Sequence, residues 1–195
     1  MTIANTPFSA TVPASAELLA AAKYIRELDP YYTMKTRVQK LLYFVQGSYL
    51  AQTGKSMFRE TPEAWRHGPV YRPVYDELTH RQGSGIAQAN TGILTDGQRA
   101  LIRAVVDRYR GCTARELVDL THQEGPWADV WGNRADDARG NDPISVESMM
   151  RYFSQPGKAT IVPAVVQESR WEEIPDGWLE QEETRWADLL ERLAS

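Results

Sequence analysis

The sequence predicts an all-α fold, one compact domain of about six to seven helices with a minor short β element near residues 57–67. Three observations carry this. Apolar residues recur at helical spacing along most of the chain, most fully in Val38, Leu41, Leu42, Val45 and Tyr49. Two capping boxes, Thr95-Asp96-Gly97-Gln98 and Thr113-Ala114-Arg115-Glu116, mark helix starts. Two-residue alternation is confined to the stretch between Met57 and His67.

Taken in order, residues 1–13, with Pro7 and Pro13, read as a flexible lead-in. The first helix is expected over residues 14–28, with Ser15 as cap and Leu18, Leu19, Ala22, Ile25 and Leu28 as its apolar face. Asp29-Pro30 ends it, because the residue before proline avoids the helical region. The second helix spans about residues 33–52 and stops at Gly54. Gly47 sits inside it at a cost of ~1 kcal/mol against alanine, which implies a close packing contact. Pro62 places the alternating stretch at a sheet edge.

Gly68-Pro69 is expected to open a third helix with Val70, Val74, Tyr75 and Leu78 on its face. Gly83-Ser84-Gly85 breaks the chain. The capping boxes open helices through Leu101, Ile102, Val105, Val106 and Tyr109, and through Leu117 and Leu120. After a loop over residues 132–142, Pro143-Ile144-Ser145 opens another through Val146, Met149, Met150 and Phe153. Pro156-Gly157 marks the expected end of the compact unit, so the domain is read as residues 14–157. Residues 158–195 are read as an acidic extension, with a short strand expected at residues 161–166. Its terminal amphipathic helix carries Leu179, Trp186, Leu189, Leu190 and Leu193 on one face.

Composition narrows the function. A chain of 195 residues buries enough surface to fold without staples, and one cysteine, Cys112, rules out an internal disulfide. That usage fits a reducing, cytoplasmic setting. The start, Met1-Thr2-Ile3-Ala4-Asn5, does not read as a signal peptide, and no apolar stretch is long enough to span a bilayer. The net charge of −4 is uneven: residues 160–195 hold three Lys+Arg against nine Asp+Glu. An acidic chain without a basic run is a poor sequence-independent nucleic-acid binder, so neither direct nucleic-acid nor membrane binding is expected.

No catalytic pattern stands out. His67, His80 and His122 lack the spacing of a zinc site, and no metal or cofactor is expected. Cys112, in a turn after Gly111, reads as a small turn residue; a hydrolase built on His122, Glu124 and Cys112 is the enzymatic alternative. Thr53-Gly54-Lys55-Ser56 is not a P-loop, because Gly54 ends a helix where that lysine should start one. The aromatics admit two readings. Trp65, Tyr71 and Tyr75, with Tyr43, Phe44 and Tyr49, and with Trp127 and Trp131, either pack the core or line a protein-binding surface. Tyr43 lies partly off the second helix's apolar stripe and is, of that helix's aromatics, the one expected to reach the surface most.

Several segments together carry a resemblance. They are Lys40-Leu41-Leu42-Tyr43-Phe44-Val45-Gln46-Gly47-Ser48-Tyr49-Leu50-Ala51, then Gly54-Lys55-Ser56-Met57-Phe58, then Glu63-Ala64-Trp65-Arg66-His67-Gly68-Pro69-Val70-Tyr71-Arg72-Pro73-Val74-Tyr75. Downstream come Thr121-His122-Gln123-Glu124-Gly125-Pro126-Trp127 and the stretch from Pro143-Ile144 to Tyr152-Phe153. Across about residues 16–155 the chain resembles the Panacea domain family of SocA-like antitoxins. The resemblance implies the antitoxin of a two-gene toxin–antitoxin system, of the kind carried by prophages, that neutralises a cognate toxin by direct contact and has no enzymatic activity. It leaves two alternatives: an adaptor that delivers the toxin or another client to a protease, and a phage protein that binds a host defence factor. Some relatives carry an N-terminal DNA-binding module; none is visible before the first helix, and autorepression is not expected. The acidic extension does not map onto the shared domain.

Protein binding then selects candidates. Tyr43, Gln46, Trp65, His67 and Tyr71 are expected to form a partly exposed partner-binding cluster, with Trp178 and Trp186 added from the extension. Leu41, Leu42, Val45, Gly47, Gly68 and Pro69 are assigned to the fold. The terminal helix either helps to cover a basic groove on the partner or packs on its own domain.

Overall fold

The computed structural model of the chain describes residues 13–29, 34–123, 125–135 and 138–165. It is mostly helical with a small sheet. Helix α1 (Ala16–Leu28) leads to a long α2 (Lys35–Thr53), then to a hairpin of β1 (Glu63–Trp65) and β2 (Gly68–Val70). Four helices follow: α3 (Arg72–His80), α4 (Ser84–Gln88), α5 (Asp96–Arg108) and α6 (Ala114–His122), with a 3-10 turn at Thr91–Ile93. Then come α7 (Pro126–Trp131), β3 (Asp142–Pro143) and α8 (Val146–Phe153). Among the described residues no helix is long and apolar enough to cross a membrane.

Local signals set most boundaries. Ser15 caps α1 through the N–H of Leu18, and Gly54 closes α2 in the left-handed conformation. Both capping boxes form as expected, on α5 and α6. Gly68-Pro69 does not open a helix, contrary to the sequence expectation. Gly68 has φ +88°, and Pro69 pairs with Ala64 on the outer strand of a sheet ordered β2-β1-β3. An edge strand tolerates the missing N–H of proline. The helix begins later, at Arg72. Strand β1, expected at an edge, is central; Pro62 lies just before it, and its carbonyl accepts the Ile144 N–H at 2.8 Å. The Gly83-Ser84-Gly85 break is itself the start of a short helix, and residues 161–165 are not a strand.

Helix α2 is the core. Leu41, Leu42 and Val45 are fully buried, and so are Arg37, Gln39, Lys40, Gln46 and Ser48. Helices α1, α5, α6 and α8 pack around it, together with the hairpin. Each buried polar side chain ties down a neighbouring segment. Arg37 pairs with Asp29 at 2.6 Å and donates to the carbonyls of Tyr109 and Cys112. Gln39 donates to the Tyr71 carbonyl and accepts its N–H at 2.7 Å. Gln46 Oε1 accepts the N–H groups of Met57 and Phe58 at 3.0 and 3.1 Å. Ser48 Oγ accepts the Thr160 N–H, and Gln52 bonds both Thr160 and Val162. The chain therefore stays on the body beyond Gly157: Ala159 and Val165 belong to the core.

The packing contact expected at Gly47 is present. A Cβ there would stand 2.2 Å from the ring of Phe153 on α8. That ring also meets Tyr43 and Phe44 edge-on, at 5.4 and 6.3 Å between centroids. Gly47→Ala is expected to destabilise the protein by about 1–3 kcal/mol from overpacking, although alanine is the better helix former by ~1 kcal/mol. Urea unfolding midpoints would show this, with partial recovery in a Gly47→Ala, Phe153→Leu double variant; an unchanged midpoint would contradict the close contact.

Candidate functional site

The first turns of α2 and the hairpin turn enclose a small cleft of about 130 Å³. Lys35 and Lys40 come from α2, Trp65, Arg66 and His67 from the hairpin, and Tyr75 from α3. Trp65 pairs with Gly68 across β1 and β2, so Arg66 and His67 form a two-residue turn, and both are exposed.

Trp65 is half-buried and held on every side. Its indole N–H donates to Glu63 at 2.7 Å, and its ring meets Tyr75 at 4.8 Å. Glu63 also binds Arg72 through two bonds of 2.9 Å, and the guanidinium lies 5.0 Å from the Trp65 ring centroid. The Trp65 carbonyl accepts the indole N–H of Trp127 at 2.8 Å. Trp127 stacks on His122 at 3.8 Å and on Trp131 at 5.4 Å. The Trp65–Tyr75 pair at the cleft is thus tied, through one bond to the hairpin backbone, to a second stack of His122, Trp127 and Trp131.

Lys40 gives the cleft its electrostatic character. It is 1% exposed, and its ammonium donates to the Pro69 carbonyl at 2.9 Å. Gly68 makes room for it: a Cβ on Gly68 would stand 2.8 Å from Lys40 Nζ. Burial pulls the Lys40 pKa down to about 7, because a desolvated ammonium is disfavoured. Burial, with the nearby Lys40 charge second, also lowers the His122 pKa. Among the described residues the buried Nε2 of His122 has no hydrogen-bond partner.

The expected partner cluster divides. His67 is exposed and Trp65 half-buried, and both line the cleft. Contrary to that expectation, Tyr43, Gln46 and Tyr71 are buried. Tyr43 is 2% exposed, covered by Phe153 and Phe44. Gln46 spends its amide on the backbone of Met57 and Phe58. Tyr71 is fully buried edge-on to Phe58. Trp178 and Trp186 lie outside the described residues, as do Glu124 and the terminal helix. Cys112 and His122 stand near opposite ends of α6, roughly 12 Å apart along its axis, too far for a nucleophile and its base.

Sequence reading passed over Lys40. Its signal was present: the five consecutive apolar residues from Leu41 to Val45 cover the whole circumference of a helix, so α2 is buried all round and takes its lysine inside.

The described residues thus form a mostly helical body with a cleft walled by Trp65 and Tyr75 and floored by Lys40. Residues 38–128 match the family model described as antitoxin SocA-like, Panacea domain, within the stretch over which the sequence resembles that family. No curated protein and no solved structure matches the chain.

The Lys40 environment has a consequence for stability. Between about pH 7 and its ordinary value of 10.5 the unfolded chain binds one more proton at Lys40 than the folded chain, so stability rises with pH across that window. Buried Tyr43 and Tyr71, whose phenol pKa values are pushed up by burial, reverse the trend above about pH 10. Urea unfolding from about pH 7 to pH 9 should therefore show a rise of roughly 1–3 kcal/mol. Lys40→Met should be flat over that range and more stable than the parent at pH 7; parallel profiles would rule out a desolvated Lys40.

Proposed function

We propose that the chain is the antitoxin of a toxin–antitoxin pair and neutralises its toxin by binding it directly. The match of residues 38–128 to the SocA-like antitoxin family carries this reading. Its physical support is the cleft between α2 and the hairpin, where Trp65 and Tyr75 stand beside Lys35, Arg66 and His67. Tryptophan, tyrosine and arginine are the side chains that dominate binding energy at protein interfaces. The rings are already held in place, Trp65 by Glu63, Arg72 and Tyr75, so little side-chain entropy is lost on docking. An interface of standard size would bury about 800 Å² on each partner. In this reading the chain makes and breaks no covalent bond, and its partner is the toxin encoded by a neighbouring gene.

Co-expression tests it. The adjacent gene product alone should arrest growth, and the chain should restore growth and co-purify with it. His67→Asp, which sets a carboxylate beside Arg66 and cancels the positive charge of the exposed turn, should weaken the complex about tenfold or more. Tyr43→Phe, deep in the core, should leave rescue intact. A neighbour that is harmless when made alone, or rescue without a complex, would defeat the proposal.

A further inference from the structure

Packing does not account for Lys40. A lysine this deeply buried is costly unless its charge is paired, and its ammonium offers three donors. One is used, by a neutral carbonyl. Among the described residues no carboxylate stands within ion-pair distance of it. The rim repeats the sign: Lys35 and Arg66 line the cleft, and among the described residues no acidic residue does. Arg72, the nearby cation that could serve a structural role, is already chelated by Glu63. A second cleft, of about 200 Å³ near α8, includes Asp129 among its lining residues together with Arg151 and Lys158.

From this we propose that the cleft between α2 and the hairpin seats one acidic side chain, an aspartate or glutamate of the bound polypeptide, with its carboxylate on Lys40. The proposal rests on the protein-binding reading and adds the chemistry of what is bound. About 130 Å³ holds one such side chain and little more. The walls suit it: Trp65, Tyr75 and Val70 pack against methylene groups and keep water from the ion pair, which strengthens it. Gly68, lacking a side chain, leaves the space in which the end of Lys40 lies beside the hairpin. A carboxylate there supplies the second acceptor and the countercharge that the fold withholds.

The pairing is linked to protons. Facing Lys40 are Lys35 on α2, Arg66 and His67 on the hairpin, Tyr75 on α3 and His122 on α6, none of them an anion at neutral pH. In the free protein the amine is half charged near pH 7. A bound carboxylate holds it charged, so binding takes up a proton and weakens as pH rises through that region.

The test uses the full-length chain and two acetylated, amidated pentapeptides, Gly-Ala-Glu-Ala-Gly and its glutamine counterpart, followed by NMR at the Trp65 indole, the Gly68 amide and the Lys40 side chain. The glutamate peptide should shift these signals and raise the Lys40 titration midpoint, with affinity falling roughly tenfold or more between pH 7 and pH 9. The glutamine peptide should not, and Lys40→Met should abolish the response. The midpoint shift is read on the unaltered protein, so it stands even if the variant folds poorly. Equal binding of both peptides, no binding of either, or a free-protein Lys40 that titrates at its ordinary value overturns the proposal. A toxin captured equally well by the parent and Lys40→Met overturns it too, while leaving the antitoxin reading intact. A peptide response without any toxin complex supports the seat and removes that reading instead.

Discussion

The structure depends on burying α2 from every side. A helix surrounded by protein cannot leave polar groups to water, so each must find a partner within the fold. In α2 those partners are backbone groups of irregular segments. Arg37 binds the α5–α6 junction and Asp29 after α1; Gln39 binds the start of α3; Gln46 binds the loop before the hairpin; Ser48 and Gln52 bind the chain after α8. Apolar packing assembles the helices around α2, and this set of hydrogen bonds determines how the connections lie over it. Such bonds are worth only about 1 kcal/mol each in net terms, yet a buried one left unmade costs more, which makes the arrangement specific.

Lys40 is the exception within that pattern. The other polar side chains of α2 meet acceptors or donors that match them, whereas the ammonium meets one carbonyl and a cationic rim. The cost of holding it there is borne by the fold, and it falls beside the most accessible aromatics of the hairpin. The bidentate Arg72–Glu63 pair and the Trp127 indole bond to the Trp65 carbonyl fix the hairpin against α3 and α7. The cleft is thus rigid on both walls and unneutralised at its floor, an arrangement suited to recognising a complementary charge on another chain.

Much of the architecture was legible in the residues. Ser15, Gly54 and the capping boxes at Thr95 and Thr113 mark helix ends through bonds made within a few residues, and such bonds form whatever surrounds them. Gly47 announced a close approach because nothing local explains a glycine in mid-helix. The errors arose where distant partners decide. Gly68-Pro69 has the local chemistry of a helix start, but pairing with Ala64 makes it a strand. Tyr43 lies off the stripe of Val38, Leu41, Leu42 and Val45, but α8 lays Phe153 across it.

The sequence by itself determined that the chain is mostly helical, where most helices begin, and which family it resembles over the stretch now matched, because periodicity, capping and motif order are written along the chain. Only the tertiary structure decided which of the marked residues reach the surface. It placed Tyr43, Gln46 and Tyr71 inside, left Trp65 and His67 at a cleft, and put Lys40 beneath them. Burial and charge environment are set by what packs across from a residue, and for α2 those partners come from both ends of the described chain.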